Sequence, residues 1–396
     1  MTDLVNKNLD VSAAEIVSSG AALYPATPRI SNASEILRNP TKNPASKEKR
    51  DAILAAPGFG KYFSDNVVRA IWVKGQGWQK AELIGQDASA GGLTINALHY
   101  GQSIFEGLKA YRHPDGGIYT FRPEANALRF QRSAHRLALP PVPTDLFIGA
   151  LEVLVNEDQD WVPSGEDQAF YLRPLEYGSE QALGVKPSDE VTFVLMGSPV
   201  GAYFPNGVKP VKVWISDDFV RAAPGGTGEA KCAGNYAASL LAQSEAAQQG
   251  CDQVVWIDAN ERKYIEEMGG MNLFFVYGKG KDAKVVTPKL TGTLLPGVTR
   301  DSLLTLAKDL GYQAEEVKIS VDQWREGCAS GEITEAFACG TAAVITPVGN
   351  VVSKNSGSWT IGDGNPGEVT MKLREALVNI QTGRAEDKHN WMHRLV

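Results

Sequence analysis

Apolar and polar positions divide this chain into a polar leader followed by two patterned regions. Residues 29–50 are mostly polar and interrupted by Pro40 and Pro44, with no sustained apolar period, so residues 1–55 are expected to form a partly loose N-terminal extension. Order is expected from Pro57-Gly58-Phe59-Gly60 onward. Residues 67–73 are β-branched, Gly75-Gln76-Gly77 is a turn, and 78–84 returns apolar, which predicts a hairpin. An apolar, glycine-dotted run covers 93–111. After the turn at 114–117 and a short strand to Phe121, Pro123 opens a helix, and a second helix is expected over about 144–159. Strands follow at 168–172 and 191–196. The Gly- and Pro-rich stretch 197–210 reads as a connection, with 201–210 as the interdomain loop. Beyond it strands and helices alternate: strand 211–215, helix 235–249 stopping at Gly250, strand 253–257, an apolar run 264–277, helix 299–310 and strand 314–319. The expectation is a smaller α+β domain over 56–200 and a larger α/β domain over 211–396.

Composition narrows the partners. With 396 residues, 43% hydrophobic and 21% charged, the chain can bury two substantial cores. A formal charge of -7 argues against nucleic acid or an anionic membrane as partner, and no apolar run reaches membrane-spanning length. Small molecules are the expected partners. Cys232, Cys251, Cys328 and Cys339 show neither C-x-x-C pairs nor histidines at metal spacing, so no metal site or disulfide framework is expected. The N-terminus carries Asp3 and Asp10 and lacks a secretory pattern, which points to the cytoplasm.

The candidate chemistry centres on 225–236, where Lys231 stands among Gly225, Gly226, Gly228 and Gly234, just ahead of a helix. A phosphate-binding P-loop is excluded on both flanks, because Ala230 stands where glycine is required and Cys232 where a hydroxyl must reach magnesium. A Schiff-base lysine remains, with Tyr236 able to donate to a cofactor oxygen. Taken alone, such a stretch is more often a glycine-rich loop with a solvated lysine. Other pieces join it. Arg129, Arg132 and Arg136 share one helix with His135, and either face solvent or offer one bidentate phosphate ligand. Residues 295–301 put backbone N–H groups and Thr299 at a helix start, an anion site. Residues 338–344 offer a second small-residue turn with Thr341. Glu266 and Glu267 sit in an otherwise buried strand, where a carboxylate is costly unless paired, for example with a protonated ring nitrogen. A lysine, a phenol, an acid, an arginine and helix-start amides are the parts pyridoxal 5'-phosphate demands.

With these parts in view, the sequence resembles the branched-chain amino acid aminotransferases, fold-type IV pyridoxal-phosphate enzymes, especially the bacterial and mycobacterial ones. The resemblance runs from about residue 57 to the C-terminus. It rests on Tyr100 with Phe105-Glu106-Gly107-Leu108-Lys109, Tyr171-Leu172-Arg173-Pro174, Gly201-Ala202-Tyr203-Phe204, 225–236, Glu267-Met268-Gly269-Gly270-Met271-Asn272, Leu295-Pro296-Gly297-Val298-Thr299-Arg300 and Gly340-Thr341-Ala342. It implies a two-domain fold with the cofactor between the domains, and a homodimer. It also implies that Lys231 forms the internal aldimine and shuttles the substrate proton, that Tyr236 bonds the ring hydroxyl oxygen, and that Glu267 holds the ring nitrogen protonated. Arg129, Val298, Thr299 and Thr341 would hold the phosphate, and the amides of Thr341 and Ala342 the substrate carboxylate. Tyr100, Phe105, Tyr171, Tyr203 and Gly270 would shape the side-chain pocket, with Arg173 meeting the distal carboxylate of glutamate. The implied reaction is ping-pong transamination of leucine, isoleucine and valine with 2-oxoglutarate, at the end of their biosynthesis or the start of their degradation. The rivals are a D-amino acid aminotransferase or an aminodeoxychorismate lyase of the same fold.

Overall fold

A computed structural model describes residues 31–86, 92–201 and 208–396. The first nine strands are β1 (Leu37–Arg38), β2 (Asn66–Val73), β3 (Gly77–Trp78), β4 (Glu82–Gly85), β5 (Ser103–Phe105), β6 (Leu108–Arg112), β7 (Ile118–Phe121), β8 (Ala169–Gly178) and β9 (Glu190–Val200). They form one sheet in the order β1-β4-β2-β9-β8-β6-β7, with β3 on β2 and β5 on β8. The second sheet is built from β10 (Val211–Ile215), β11 (Gln253–Ile257), β12 (Ile265–Met268), β13 (Met271–Tyr277), β14 (Lys284–Pro288), β15 (Gln313–Val317), β16 (Ile333–Gly340), β17 (Val344–Ser353) and β18 (Gly357–Thr360). Its order is β12-β11-β10-β17-β16-β13-β14-β15, with β18 on β17. It is mixed, since β10 runs parallel to both β11 and β17 and β14 parallel to β15, while the remaining pairs are antiparallel. The final strand, β19 (Met392–Arg394), crosses back and pairs antiparallel with β7, so the chain's end belongs to the first sheet and not to the domain expected over 211–396.

Two expectations change on physical grounds. Where it is described, the leading segment is not loose. β1 pairs parallel with β4, Ile36 is 5% exposed, and α1 (Lys47–Ala55) is capped by Ser46, whose hydroxyl accepts the Lys49 N–H. An edge strand is held by backbone hydrogen bonds, which need no apolar side-chain period. Residues 1–30 of that expectation, and 202–207 of the interdomain loop, lie outside the described residues. The strand expected to end at Leu172 continues through Pro174 to Gly178. Proline lacks an N–H, yet here it costs no ladder bond: β6 pairs with β8 only as far as Leu172, β5 resumes at Leu175, and the Pro174 carbonyl accepts the Glu106 N–H across the gap.

The helices on the first sheet bring the site's supports together. After α2 (Asn96–Tyr100), α3 (Pro123–Arg136) starts with proline in its first turn and α4 (Thr144–Glu157) follows, nearly buried all round. Phe130 of α3 packs on Phe147 of α4 and Phe193 of β9, with ring centroids 5.7 and 5.9 Å away. The expected helix 235–249 is two pieces, α5 (Ala233–Ala237) and α6 (Leu240–Gln248), ending before Gly250 at φ +66°. The break falls where the Ser239 hydroxyl donates to the Tyr236 carbonyl and competes with the helical ladder. Helix α7 (Val298–Asp309) follows β14, α8 (Val321–Ser330) carries a capping box from Ser320 to Gln323, and α9 (Glu368–Gln381) precedes β19. No helix among the described residues is long and apolar enough to cross a membrane.

Candidate active site

The lysine loop is sewn to the first sheet by its backbone. The Lys231 N–H donates to Ser133 Oγ of α3 at 2.9 Å, and the Lys231 carbonyl accepts the Phe105 N–H at 3.0 Å. Asn235 closes the loop on itself by donating to the Thr227 and Ala230 carbonyls. Gly228 is obligatory, since a Cβ there would lie 2.2 Å from the Thr293 carbonyl oxygen. The amine is therefore presented from a fixed base. Its Nζ donates to the Tyr236 hydroxyl at 2.9 Å and stands 4.9 Å from the centre of the Phe105 ring.

A cavity of about 280 Å³ opens in front of this amine, between the two sheets. Arg129 reaches it from α3, 4% exposed, with Nε and Nη2 bonded to the two oxygens of the fully buried Glu106 at 2.7 and 2.8 Å. Such a fork fixes the guanidinium plane. Val298 and Thr299 line the same wall at the start of α7, whose N-cap, Gly297, has no side chain to satisfy the first amides. Those uncapped N–H groups and Arg129 suit a phosphate. The hairpin turn between β16 and β17 brings Thr341 and Ala342 to the rim; the Thr341 hydroxyl donates to the Gly107 carbonyl, and Lys109 Nζ to the Ala342 carbonyl at 2.7 Å. Phe105, Tyr171, Arg173 and Gly270 complete the walls. The Arg173 guanidinium lies 4.6 Å from the Phe105 ring centre and donates to the Tyr171 hydroxyl, and its buried Nε has no hydrogen-bond partner among the described residues.

Glu267 lies behind the cavity on β12, 1% exposed. The run 264–277 is a hairpin, β12 and β13 joined at Gly269-Gly270, and it points this carboxylate toward Arg221. One oxygen accepts the Leu295 N–H and Asn272 Nδ2, and the other meets Arg221 Nε at 2.8 Å. Burial pushes its pKa above the ordinary value, opposed first by Arg221, then by the Leu295 N–H, Lys231 and Arg300.

Among the described residues, one expected pocket residue is not found there. Tyr100 ends α2 just before Gly101 turns the chain at φ +68°; the residue is 45% exposed and its hydroxyl donates to the Leu183 carbonyl, away from the cavity. Tyr203 lies outside the described residues. The structure adds Phe59, whose ring meets Tyr171 edge-on at 5.1 Å, together with Glu106, Asn272 and Arg221. Phe59 had one sequence signal, its place between two glycines. Arg221 had none.

The donor set fits pyridoxal phosphate: an amine beside a phenol, a buried acid behind them, and an arginine with uncapped helix amides at the opposite end. A sequence model of the family described as amino-transferase class IV matches residues 103–351. The branched-chain-amino-acid aminotransferase of Mycolicibacterium smegmatis is 56% identical over 354 residues, covering 89% of this chain and 96% of that protein. The crystal structure of the Escherichia coli branched-chain amino acid aminotransferase superposes with a TM-score of 0.67 at 31% identity, covering 83% of this chain and 99% of that one. The T.th. enzyme of that name, with pyridoxamine 5'-phosphate, gives a TM-score of 0.67 at 30% identity over 83% of this chain and 98% of that one.

Proposed function

Since the chain belongs to the class IV amino-transferases, we propose that it transfers the amine of leucine, isoleucine or valine to 2-oxoglutarate, using pyridoxal 5'-phosphate, in two half-reactions at one site. One observation carries the reading: Lys231 Nζ, 2.9 Å from Tyr236, opens onto a cavity walled by aromatic rings and closed by Arg173. An aromatic wall takes a branched apolar side chain, and a guanidinium in the same wall takes the distal carboxylate of glutamate. One site then serves both substrates.

Bound pyridoxal phosphate supplies the carbonyl carbon that accepts the amine and a ring that draws electrons from the substrate Cα. The chain's own groups do the rest. Lys231 moves the proton to and from Cα, and Tyr236 holds the amine and the ring oxygen in register. Glu267 keeps a proton at the ring nitrogen, and Arg129 with the Val298 and Thr299 amides holds the phosphate, joined by Thr341. The Thr341 and Ala342 amides orient the α-carboxylate, while Phe105, Tyr171 and Gly270 shape the side-chain pocket. The placement is cytoplasmic and the assembly a homodimer. The support for the dimer is an exposed apolar surface around Tyr100, with Leu93 85%, Leu98 63%, Leu183 65% and Val185 84% exposed. In it Tyr100 closes the partner's pocket.

The test is an absorbance spectrum of the cofactor-loaded protein. L-leucine should bleach the visible band and 2-oxoglutarate restore it; bleaching by D-alanine but not by L-leucine would overturn the substrate assignment. Lys109 adds a pH dependence. Burial pushes its ammonium down to about 8, against the pull of Asp167, so the charge behind the Thr341-Ala342 turn is present below that pH and lost above it. KM for 2-oxoglutarate should climb above pH 8. Lys109→Met should raise KM about tenfold at pH 7, the worth of one hydrogen bond from a charged donor, and abolish the alkaline rise. An unchanged KM at pH 7 would count against that role.

A further inference from the structure

We propose that Arg221 is a positioning residue: by pairing with Glu267 and bridging two loops, it keeps that acid ionised and aims its free lone pair at the cofactor's ring nitrogen. The inference rests on the pyridoxal-phosphate reading above. Arg221 is 9% exposed, and all three of its nitrogens are engaged. Nε meets Glu267 at 2.8 Å, Nη1 donates to the Thr293 carbonyl at 2.8 Å, and Nη2 to the Gly228 carbonyl at 3.0 Å. These partners lie on three separate pieces of the site. Glu267 is on the acid strand, Gly228 stands three residues before the reactive lysine, and Thr293 begins the stretch leading through Leu295 to the phosphate-facing start of α7. One planar fork therefore sets the spacing between acid, amine and phosphate seat, which a lysine's single ammonium could not do.

The bonding capacity of Glu267 sharpens the point. A carboxylate offers about four acceptor positions. Arg221 Nε, the Leu295 N–H and Asn272 Nδ2 occupy three of them. The remaining position is directed by the other three donors. Ionisation points the same way: burial alone drives Glu267 toward its neutral form, and Arg221 is the foremost opposing influence. A neutral Glu267 could not hold a proton on a pyridine nitrogen.

The test titrates pyridoxal phosphate into the full-length protein and its Arg221→Gln, Glu267→Gln and double variants, and records the acid limb of kcat/KM. Failure of the wild-type protein to bind the cofactor would sink the functional reading itself. With binding established, Arg221→Gln should weaken cofactor affinity about tenfold or more, as loss of a charged hydrogen bond does. Its acid limb should move to higher pH, because Glu267 then protonates more readily. In the Glu267→Gln background the same change should cost less than about threefold, since the two residues act as a unit. Equal losses in both backgrounds, or an acid limb that stays in place, would overturn the proposal. Arg221→Lys decides the case even if the glutamine variant does not fold. It keeps the charge and drops the fork, so the acid limb should remain where the wild type has it while affinity falls a few-fold; a shifted limb there would equally overturn the proposal.

Discussion

Lys231→Ala is expected to lower turnover by about 10⁴-fold, the upper range for removal of a positioned acid–base group, while leaving the fold intact. The second half of that statement follows from how the loop is held. The contacts that anchor residue 231 are made by its backbone, through Ser133 Oγ and the Phe105 N–H, and an alanine keeps both. Asn235 and Gly228 close the loop without using the lysine side chain. What disappears is Nζ, together with its bond to Tyr236 and its position over the Phe105 ring. Single-turnover measurements with L-leucine, beside a thermal melt of the same preparation, separate the two effects. Retention of about a tenth of wild-type turnover would show that another group moves the proton. A collapse in melting temperature would show that the amine is structural.

The parts of this site that were legible in the sequence are those whose chemistry and geometry are local. Lys231, its glycines and Tyr236 lie within a dozen residues, so spacing alone places an amine beside a phenol. Glu267 was visible because a charge within an apolar strand requires an explanation. The start of α3 at Pro123 and the hairpin of β2 and β4 follow from turn and cap chemistry. Tyr100 shows the opposite case. Its place five residues before Phe105 suggests a shared pocket, but the left-handed turn at Gly101 sends the two rings in different directions. The return of β19 to β7 is a pairing between the chain's end and its first third, and no local pattern encodes it. The partners that tune the site were hidden for the same reason. Arg221 and Glu267 meet only after β11 and β12 have folded, and a buried charge pair has no sequence signature beyond two ordinary charged residues.

Glu106→Gln should produce the largest loss of stability among the site substitutions, about 3–5 kcal/mol in the protein without cofactor. Glu106 is fully buried and its two oxygens engage Nε and Nη2 of Arg129, itself 4% exposed. Glutamine keeps the shape and removes the charge, so a guanidinium stays inside the protein without its carboxylate. Desolvation that the pair had offset is then felt in full. Glu106 also accepts the Gly107 N–H, and the Gly107 carbonyl receives the Thr341 hydroxyl, so the loss reaches the Thr341-Ala342 turn as well. Pyridoxal phosphate should restore much of the deficit, because its phosphate offers Arg129 a replacement anion. A ligand that binds the folded state more favourably in the variant stabilises the variant more. Denaturant unfolding of wild type and variant, each with and without cofactor, measures both quantities. A variant as stable as wild type without cofactor would mean that the Arg129 charge is already compensated elsewhere. A deficit that pyridoxal phosphate does not reduce would separate Arg129 from the phosphate and leave the uncapped start of α7 as its principal seat.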